Sequence, residues 1–543
     1  MRRTTLRSKP WQNRGAILAL LLAWPAALQA AQVTVTAAAA KPPAEAPALE
    51  IKDNAVQLSL DQAVSIALQQ NLGLVIERYT RTQQRLGITQ ALGLYDLLSN
   101  ADVSASDTKS ATLSRIEASQ SNEQHFNFSF RQTIPTGGAV SLGWDNGRIE
   151  SNAQIFETST FFNSGFNFSY SQPLLRNLGR LATERGILIA QTNSRVSRQE
   201  FERQVTSTVQ QVEDAYWTLV GAREQLVVAQ QSLSLAKELN EHNRIQVEVG
   251  TMAPLELTQS QAAIASREEG IIRATSAIGD AEDQLRLLLN LPASGDLWSK
   301  AIVPTTPPET EPVKAIDVAE AIRTAMAERP ELRTNELQLA QAQLDAEYFR
   351  NQLKPSLNLN VNYGYSGVGL TFSDAFNQVT GLDFRGWAAQ LLLAYPIQNR
   401  SARAQSAIAN LDVDRVQTQV DQQKATIATE VRRAARAVET AAKQIDAARV
   451  AREFQEKNLD AEKKRYENGM STSFQITQIQ DQVTQARSDE VTATITYRTA
   501  LAEYYRAIGR LLEQQGVAID DPEDQDYAAS RFGFRRAPLP GER

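Results

Sequence analysis

The 543-residue sequence contains no cysteine, two histidines and four methionines. Without cysteine the chain forms no disulfide and has no thiol nucleophile. The two histidines, His125 and His242, lie too far apart in sequence to suggest a histidine-rich metal site. So few soft ligands also disfavour a relay for soft metals. No nucleophile and base pair, phosphate-binding loop or carboxylate dyad stands out. We therefore expect neither an enzyme nor a cofactor-binding protein.

Clustered positive charge is also missing from the sequence. The formal net charge is −6, the sequence pI is about 5.4 and no basic patch stands out, so we expect no nucleic-acid partner. Hydrophobic residues make up 42% of the chain and the mean hydropathy is −0.35. These values fit long helices with polar faces better than a compact globule.

A long apolar run occurs only near the start of the chain. Residues 1–30 combine a basic start, an apolar run over residues 16–28 and the cleavage sequence Leu28-Gln29-Ala30, which together predict a signal peptide. A membrane anchor that stays attached is the alternative. Beyond this segment, no stretch of the sequence approaches the roughly 20 apolar residues of a membrane helix. If the chain crosses a membrane, we expect it to do so with strands.

The rest of the sequence repeats one order of patterns. Apolar residues at helical spacing in residues 60–74 recur in residues 318–332. In both places a second helical stretch, an alternating segment and a very long heptad-patterned stretch follow. Two such copies predict one pseudo-twofold unit rather than a solenoid. The expected segments are a disordered lead-in at 31–54, a first repeat at 55–290, an equatorial linker at 291–315, a second repeat at 316–516 and a polar tail at 517–543.

The alternating segment of the second half predicts a strand with two different faces. In residues 357–365 apolar and polar positions alternate, with Asn358, Asn360 and Asn362 on the polar face, and residues 387–395 form a partner strand. A soluble sandwich shows the same alternation. Aromatic residues near the strand ends and an uncharged polar face are, however, typical of membrane barrels. We therefore expect the three asparagines to face a lumen.

The first half predicts more strands than the second. A hairpin at 125–147 comes in addition to the segment before it and the strand after it. The clear strands are at 126–131, 140–144 and 166–171, residues 98–106 alternate weakly, and residues 107–123 are predicted to be an exposed loop.

Two stretches of roughly 65 to 75 residues carry apolar residues in heptads, which predicts helices about 100 Å long. A coiled-coil tether would show the same heptads, but it does not account for the duplicated strands. The predicted seam residues are Val205, Val209, Val212, Tyr216, Leu219 and Leu226 in the first half and Ile427, Val431, Ala434, Val438, Ala441, Ile445 and Ala448 in the second.

Each heptad stretch is broken near its far end by a glycine, and a shorter helical pattern follows. Glycine is the usual residue after a helix end, and Pro254 suits the first turn of the next helix. The sequence therefore predicts two tight helical hairpins of one design, each of them either a plain connector or a docking point. The tip residues are Gly250, Thr251, Met252, Gly469, Met470, Ser471 and Thr472.

With these features the chain resembles the TolC-like outer-membrane efflux proteins, and the resemblance covers residues 58–513. It rests on the order of several motifs rather than on any single one. The motifs are the repeated opening of the type Leu58-Ser59-Leu60-Asp61-Gln62-Ala63-Val64, the strand start Lys354-Pro355-Ser356-Leu357, the strand exit Ser171-Gln172-Pro173-Leu174 and the two glycine hairpins.

The resemblance implies an α+β membrane protein built from two structural repeats per chain. In such a homotrimer, strands from three chains close one β-barrel in the outer membrane, and long helices continue it as a periplasmic α-helical barrel. The hairpin tips dock a periplasmic adaptor (membrane fusion) protein tied to an inner-membrane transporter. The implied function is a passive exit duct of a tripartite efflux pump or a type I secretion system. The alternative is a periplasmic coiled-coil adaptor or structural tether without a membrane barrel.

The resemblance also implies roles for residues at the entrance. Tyr466 and Glu256 match a pair that, in such proteins, holds the entrance closed by a hydrogen bond. Gln475 and Gln478 stand where some members place a ring of aspartates, so an acidic constriction is not expected. The family has two strands per half, whereas the first half here has four. Either the barrel is wider, or the hairpin at 125–147 lies outside it or within the lumen.

Overall fold

A computed structural model describes residues 50–52, 55–111, 116–153, 158–291, 298–308 and 316–519. The predicted signal peptide therefore lies outside the described residues, as do most of the predicted lead-in and the tail from residue 520 onwards. Within the described ranges, none of the helices has the length and apolar character that crossing a membrane requires.

The first half of the chain begins with two short strands and two helices, continues with four long strands and ends in a long helical hairpin. Its elements are β1 (Glu50–Lys52), β2 (Ala55–Leu58), α1 (Leu60–Gln70), α2 (Leu72–Leu92), β3 (Leu98–Lys109), β4 (Gln120–Thr133), β5 (Ala139–Ser151), β6 (Thr160–Pro173), α3 (Arg180–Glu248) and α4 (Pro254–Leu289).

The second half follows the same order with fewer strands. Its elements are β7 (Ala301–Pro304), α5 (Val318–Glu328), α6 (Pro330–Asn351), β8 (Ser356–Gly369), α7 (Phe372–Thr380), β9 (Arg385–Ala394), α8 (Arg400–Glu467), α9 (Ser473–Ala507) and α10 (Leu511–Gln514). The hairpin helices have 69 and 36 residues in the first half and 68 and 35 in the second. At 1.5 Å per residue, the two longest helices each extend about 100 Å.

Side-chain caps fix where the shorter helices of both halves begin. The Ser59 hydroxyl accepts from the Gln62 backbone N–H at 3.2 Å, and the Gln62 side chain accepts from the Ser59 N–H at 3.0 Å. This reciprocal pair satisfies two N–H groups that the first turn of α1 leaves free. In the second half the Asp317 carboxylate accepts from the N–H groups of Ala319 and Glu320.

The heptad seams predicted from the sequence form the cores of the helical hairpins. Helix α3 packs against α4 and α9, and α8 packs against α9. All but two of the predicted seam residues are buried, and the exceptions, Leu226 and Ala448, are half-buried. Small alanines along α8 allow this close packing of the helices.

A small three-stranded sheet lies where the two halves meet. Strand β2 pairs antiparallel with β1 and parallel with β7, and Val56 lies opposite Ile302. The Tyr216 hydroxyl donates to the Leu58 carbonyl at 3.1 Å and accepts from the Thr306 N–H at 2.9 Å. The chain is therefore paired at residues 50–52, within the predicted lead-in, and the predicted equatorial linker at 291–315 contains strand β7. Strands this short carry too few residues to show alternation.

The long strands form one antiparallel sheet in the order β3-β4-β5-β6-β8-β9. The predicted loop at 107–123 is wrong at both ends, because β3 continues to Lys109 and pairs there with Gln120 of β4. Polar residues occupy both faces of this outer part of the ladder, so the sequence has no alternation to indicate it. The hairpin of β4 and β5 lies in the middle of the sheet, between β3 and β6.

Candidate functional site

The six-stranded sheet has one aromatic face and one polar face. Residues directly opposite each other in neighbouring strands share a face, so a single row can be followed across the sheet. One row runs through Ser99, Phe130, Leu142, Phe168, Tyr363 and Trp387, and the next runs through Leu98, Arg131, Ser141, Ser169, Asn362 and Ala388.

The two faces differ most clearly on β4, β5, β6 and β8, whereas β9 carries Ala388, Leu392 and Ala394 beside Gln390 on the polar face. The aromatic face contains Val103, Phe126, Phe128, Phe130, Leu142, Trp144, Phe166, Phe168, Leu357, Leu359, Val361, Tyr363, Trp387, Leu391 and Leu393. The polar face contains Asn127, Ser129, Ser141, Asp145, Asn167, Ser169, Ser171, Asn358, Asn360, Asn362 and Gln390.

The three asparagines predicted to face a lumen all lie on the polar face. Asn360 sits between Ser171 and Gln390, and the Ser171 hydroxyl donates to the Asn360 side-chain oxygen at 2.9 Å. The apolar residues of the same strand point the other way. The structure confirms the predicted alternation, and the orientation of the polar face towards a lumen remains a prediction.

Much of the aromatic face is exposed in the single chain. Trp387 is 75% exposed, and Leu391 and Leu393 are 63% and 65% exposed. A contiguous apolar surface of this kind marks contact with a membrane or another protein. Helix α7 covers part of the outer end of the same face, where the Phe376 ring lies 5.8 Å from Trp144.

The two hairpin tips have the same backbone geometry. Gly250 and Gly469 adopt φ values of +79° and +73°, the left-handed conformation that glycine tolerates best. Each glycine N–H bonds the carbonyl three residues back, and the following N–H bonds a carbonyl five residues back. This paired arrangement is the Schellman motif, which satisfies free carbonyls at a helix end.

The predicted hydrogen bond between Tyr466 and Glu256 is not present in this structure. The Tyr466 hydroxyl donates instead to the Asn243 side-chain oxygen at 2.5 Å, and the Asn243 amide donates to the Ser473 hydroxyl at 2.7 Å. Asn243 is fully buried, so this chain of bonds ties α3, α8 and α9 together. Sequence reasoning missed Asn243, although a polar residue four positions after the buried Leu239 on a helix was a signal for it.

Glu256 nonetheless lies near Tyr466. Burial raises the pKa of the Tyr466 hydroxyl above its ordinary value, and the negative charge of Glu256 raises it further. One carboxylate oxygen of Glu256 is buried and has no hydrogen-bond partner among the described residues. The pair therefore interacts through charge rather than through a hydrogen bond.

The other predicted entrance residues have local roles or lie free at the surface. The Gln475 side chain accepts from the Thr472 N–H at 3.3 Å and from the Ser471 hydroxyl at 3.0 Å, which caps α9. Gln478 is exposed. Met252 packs against the buried cluster that contains Tyr466, whereas Met470 is 63% exposed.

Two neighbouring carboxyl groups on α3 have raised pKa values. Burial raises the pKa of Glu213 to about 7, although Gln515 donates a hydrogen bond to its carboxylate at 3.0 Å. Burial and the charge of Glu503 raise the pKa of Asp214 to about 6. In the ranges that the structure describes, no group of three or more histidines and carboxylates is placed to hold a metal ion.

Solved structures share this fold. The outer membrane channel CmeC of Campylobacter jejuni superposes with a TM-score of 0.61 at 17% identity, covering 83% of this chain and 86% of that one. The open state of the MtrE outer membrane channel of Neisseria gonorrhoeae gives 0.60 at 18% identity, with 87% and 97% covered. The fold that this chain shares with them is a two-faced sheet continued by helices of about 100 Å.

Sequence comparison identifies the family. The profile of the family described as outer membrane efflux protein matches residues 140–291 and 321–510. The chain belongs to this family, which consists of transport channels rather than enzymes. A curated relative, the pyoverdine export outer membrane protein OpmQ of Pseudomonas putida, is 23% identical over 377 residues, covering 68% of this chain and 74% of that protein. The predicted family and location in the outer membrane are confirmed.

Proposed function

We propose that three copies of this chain form a passive exit duct across the outer membrane. In this duct the sheets of the three copies close one β-barrel and the helical hairpins form the periplasmic tunnel. A periplasmic adaptor and an inner-membrane transporter deliver the substrate to the tunnel. The transporter is that of a tripartite efflux pump or of a type I secretion system.

The observation that carries this proposal is the contrast between the two faces of the six-stranded sheet. In lipid, an apolar outer face and a polar inner face are the arrangement of transmembrane barrels. The exposed Trp387, Leu391 and Leu393 would then contact lipid, while Asn358, Asn360 and Asn362 would contact water. Helix α7 would lie at the outer rim of the lipid-facing side.

The need for several copies follows from the six strands of the sheet and its open edges, because transmembrane barrels have about 8 strands or more. Strands β3 and β9 are each paired on one side only within the described part of the chain. Every backbone N–H and carbonyl group inside a membrane needs a partner, so an open edge is not tolerated there. Joining the edges of successive copies into a ring satisfies both strands.

Docking of the adaptor is assigned to the exposed ends of the two hairpins. Gly250 and Thr251 at one tip and Met470 at the other are exposed, as is Phe474 at the start of α9. Exposed apolar side chains at the end of a long protrusion are typical of a protein contact.

Membrane fractionation followed by native mass measurement in detergent tests the proposal. We expect the mature protein in the outer-membrane fraction, extracted by detergent as a trimer. Its deletion should abolish export of at least one compound by the host. A monodisperse soluble monomer would overturn the proposal and favour the alternative of a periplasmic adaptor or tether.

A further inference from the structure

We propose that the hairpin of β4 and β5 is part of the membrane wall, so that three copies build a ring of roughly 18 strands. In this ring β3 of each copy pairs with β9 of the next. The inference rests on the proposed function, since it assigns the wall of the same duct. A ring of this size falls in the class of barrels that leave a water-filled channel.

Hydrogen-bond ladders on both sides hold the hairpin between β3 and β6. Strand β4 pairs with β3 along the whole length of β3, and β5 pairs with β6 from Thr160 to Ser171. Moving the hairpin out of the wall would break both ladders. It would also leave their N–H and carbonyl groups without partners at membrane depth.

On each strand of the aromatic face the apolar residues form a short run, and together these runs make an apolar belt that slants across the sheet. In the row through Leu142, the β9 residue is Trp387 and the β3 residue is Ser99. The belt on β9 is centred near Leu391, four residues beyond Trp387 towards the helices. On β3 it is centred on Val103, four residues beyond Ser99 towards the outer end.

This slant is what tilted strands in a flat membrane require. With strands tilted by about 35–45° and spaced about 4.8 Å apart, a level belt moves by about 1.0 to 1.5 residues per strand. The eight-residue drift between β9 and β3, over five steps between strands, is about 1.6 residues per step, close to the upper end of this range. The belt residues of the hairpin, which include Leu142 and Phe128, lie on the same slanted line. All six strands can therefore cross one membrane at the same level.

The same belt predicts how neighbouring copies join. Strand β3 leads away from the helices and β9 returns to them, so the two edges meet antiparallel. If the pairing of β3 with β9 shifted by one residue, the aromatic face of one copy would continue into the polar face of the next. The pairing can therefore differ only by an even number of residues. If the apolar belt continues with the same slant across the join, Val103 lies opposite Leu391 or Leu393 of the next copy, and not opposite Gln390.

Disulfide trapping in the outer membrane tests the join, and the absence of native cysteine leaves no background. We expect Val103→Cys combined with Leu391→Cys, or with Leu393→Cys, to give a covalent trimer on oxidation. Val103→Cys combined with Gln390→Cys is the matched control and should stay monomeric on a denaturing gel. Trapping only in the control pair, or in none of the three pairs, would overturn the proposed join.

Thiol labelling tests the place of the hairpin. A charged, membrane-impermeant thiol reagent should modify Asn127→Cys about tenfold faster or more than Phe128→Cys, because only the first side chain would meet water. Modification at Asn127→Cys should also lower the single-channel conductance. Equal labelling of the two variants would place the hairpin outside the wall.

Export by the same variants separates this inference from the proposed function. If both variants reside in the outer membrane and export, equal labelling overturns the place of the hairpin alone. If the unsubstituted chain is absent from the outer membrane, the proposed function fails as well.

Discussion

Tyr466 and Asn243 join the two helical hairpins close to their tips, with the tyrosine hydroxyl 2.5 Å from the asparagine oxygen. Tyr466 lies three residues before Gly469 on α8, and Asn243 lies seven residues before Gly250 on α3. Because this hydrogen bond joins the two hairpins close to their tips, it can limit the distance between the tips. We propose that it holds the tunnel entrance narrow.

We expect Tyr466→Phe to raise the conductance of the channel in planar bilayers. The change removes one buried hydrogen bond and leaves the Asn243 oxygen unpaired, which costs about 1–3 kcal/mol in the closed state. Since 1.4 kcal/mol is about one decade, the ratio of open to closed channels should rise about tenfold. Tyr79→Phe, the same change at an exposed tyrosine of α2, is the matched control and should leave the conductance unchanged. Unchanged conductance in Tyr466→Phe would leave this residue with no gating role.

Adjacent residues of β8 should differ sharply in their tolerance of charge. Arginine on the lipid side of a barrel costs about 2–4 kcal/mol at mid-depth, whereas a lumen position is wet. We therefore expect Leu359→Arg to reduce the amount of trimer in the outer membrane, and Asn360→Arg to leave it near normal. Quantifying heat-modifiable trimer on gels checks this. Similar amounts for the two variants would contradict the assignment of the faces.

Substituting the tip glycines should impair export without disturbing the membrane sheet. At Gly250 and Gly469 an added side chain meets open space, so a substitution would be destabilising because of the left-handed backbone rather than because of a steric clash. A β-branched residue is strongly disfavoured there. We expect Gly469→Val to abolish export while trimers remain. Gly279→Ala, in open space within helix α4, is the control and should export normally. Normal export by Gly469→Val would argue against docking at the tips.

Stability should fall as the pH rises through the pKa of Glu213. The folded pKa of about 7 lies above the ordinary 4.5, so between these values the folded chain keeps a proton that the unfolded chain has released. The contribution is fully present below pH 4.5 and is lost as the pH rises through 7. At 1.36 kcal/mol per pKa unit, the loss between these two values is about 3 kcal/mol.

The variant Glu213→Gln should remove this part of the pH dependence. Its thermal unfolding temperature in detergent should exceed that of the unsubstituted chain at pH 8, while the two differ less at pH 5. Glu224→Gln, at an exposed position of the same helix, is the control. An identical pH profile for Glu213→Gln and the unsubstituted chain would contradict the raised pKa.

Strong periodicity made most of the fold predictable from the sequence. The heptads gave the buried seams of α3 and α8, and the alternation around Asn360 gave the two faces of β8. The outer ends of β3 and β4 were missed because residues on both faces there are polar, so pairing depends on the backbone alone. The partner of Tyr466 was missed because Asn243 is more than 200 residues away and meets it only when the hairpins pack.

The near-equal lengths of α3 and α8, 69 and 68 residues, restrict how the chain can tolerate insertions and deletions. One extra residue in α8 would turn everything beyond it by about 100° and raise its tip by 1.5 Å. Tyr466 would then point away from Asn243, and the apolar seam would face water. Only changes of about seven residues restore the seam, and they must occur in both helices of a hairpin. Variation in tunnel length is thus expected in whole heptads.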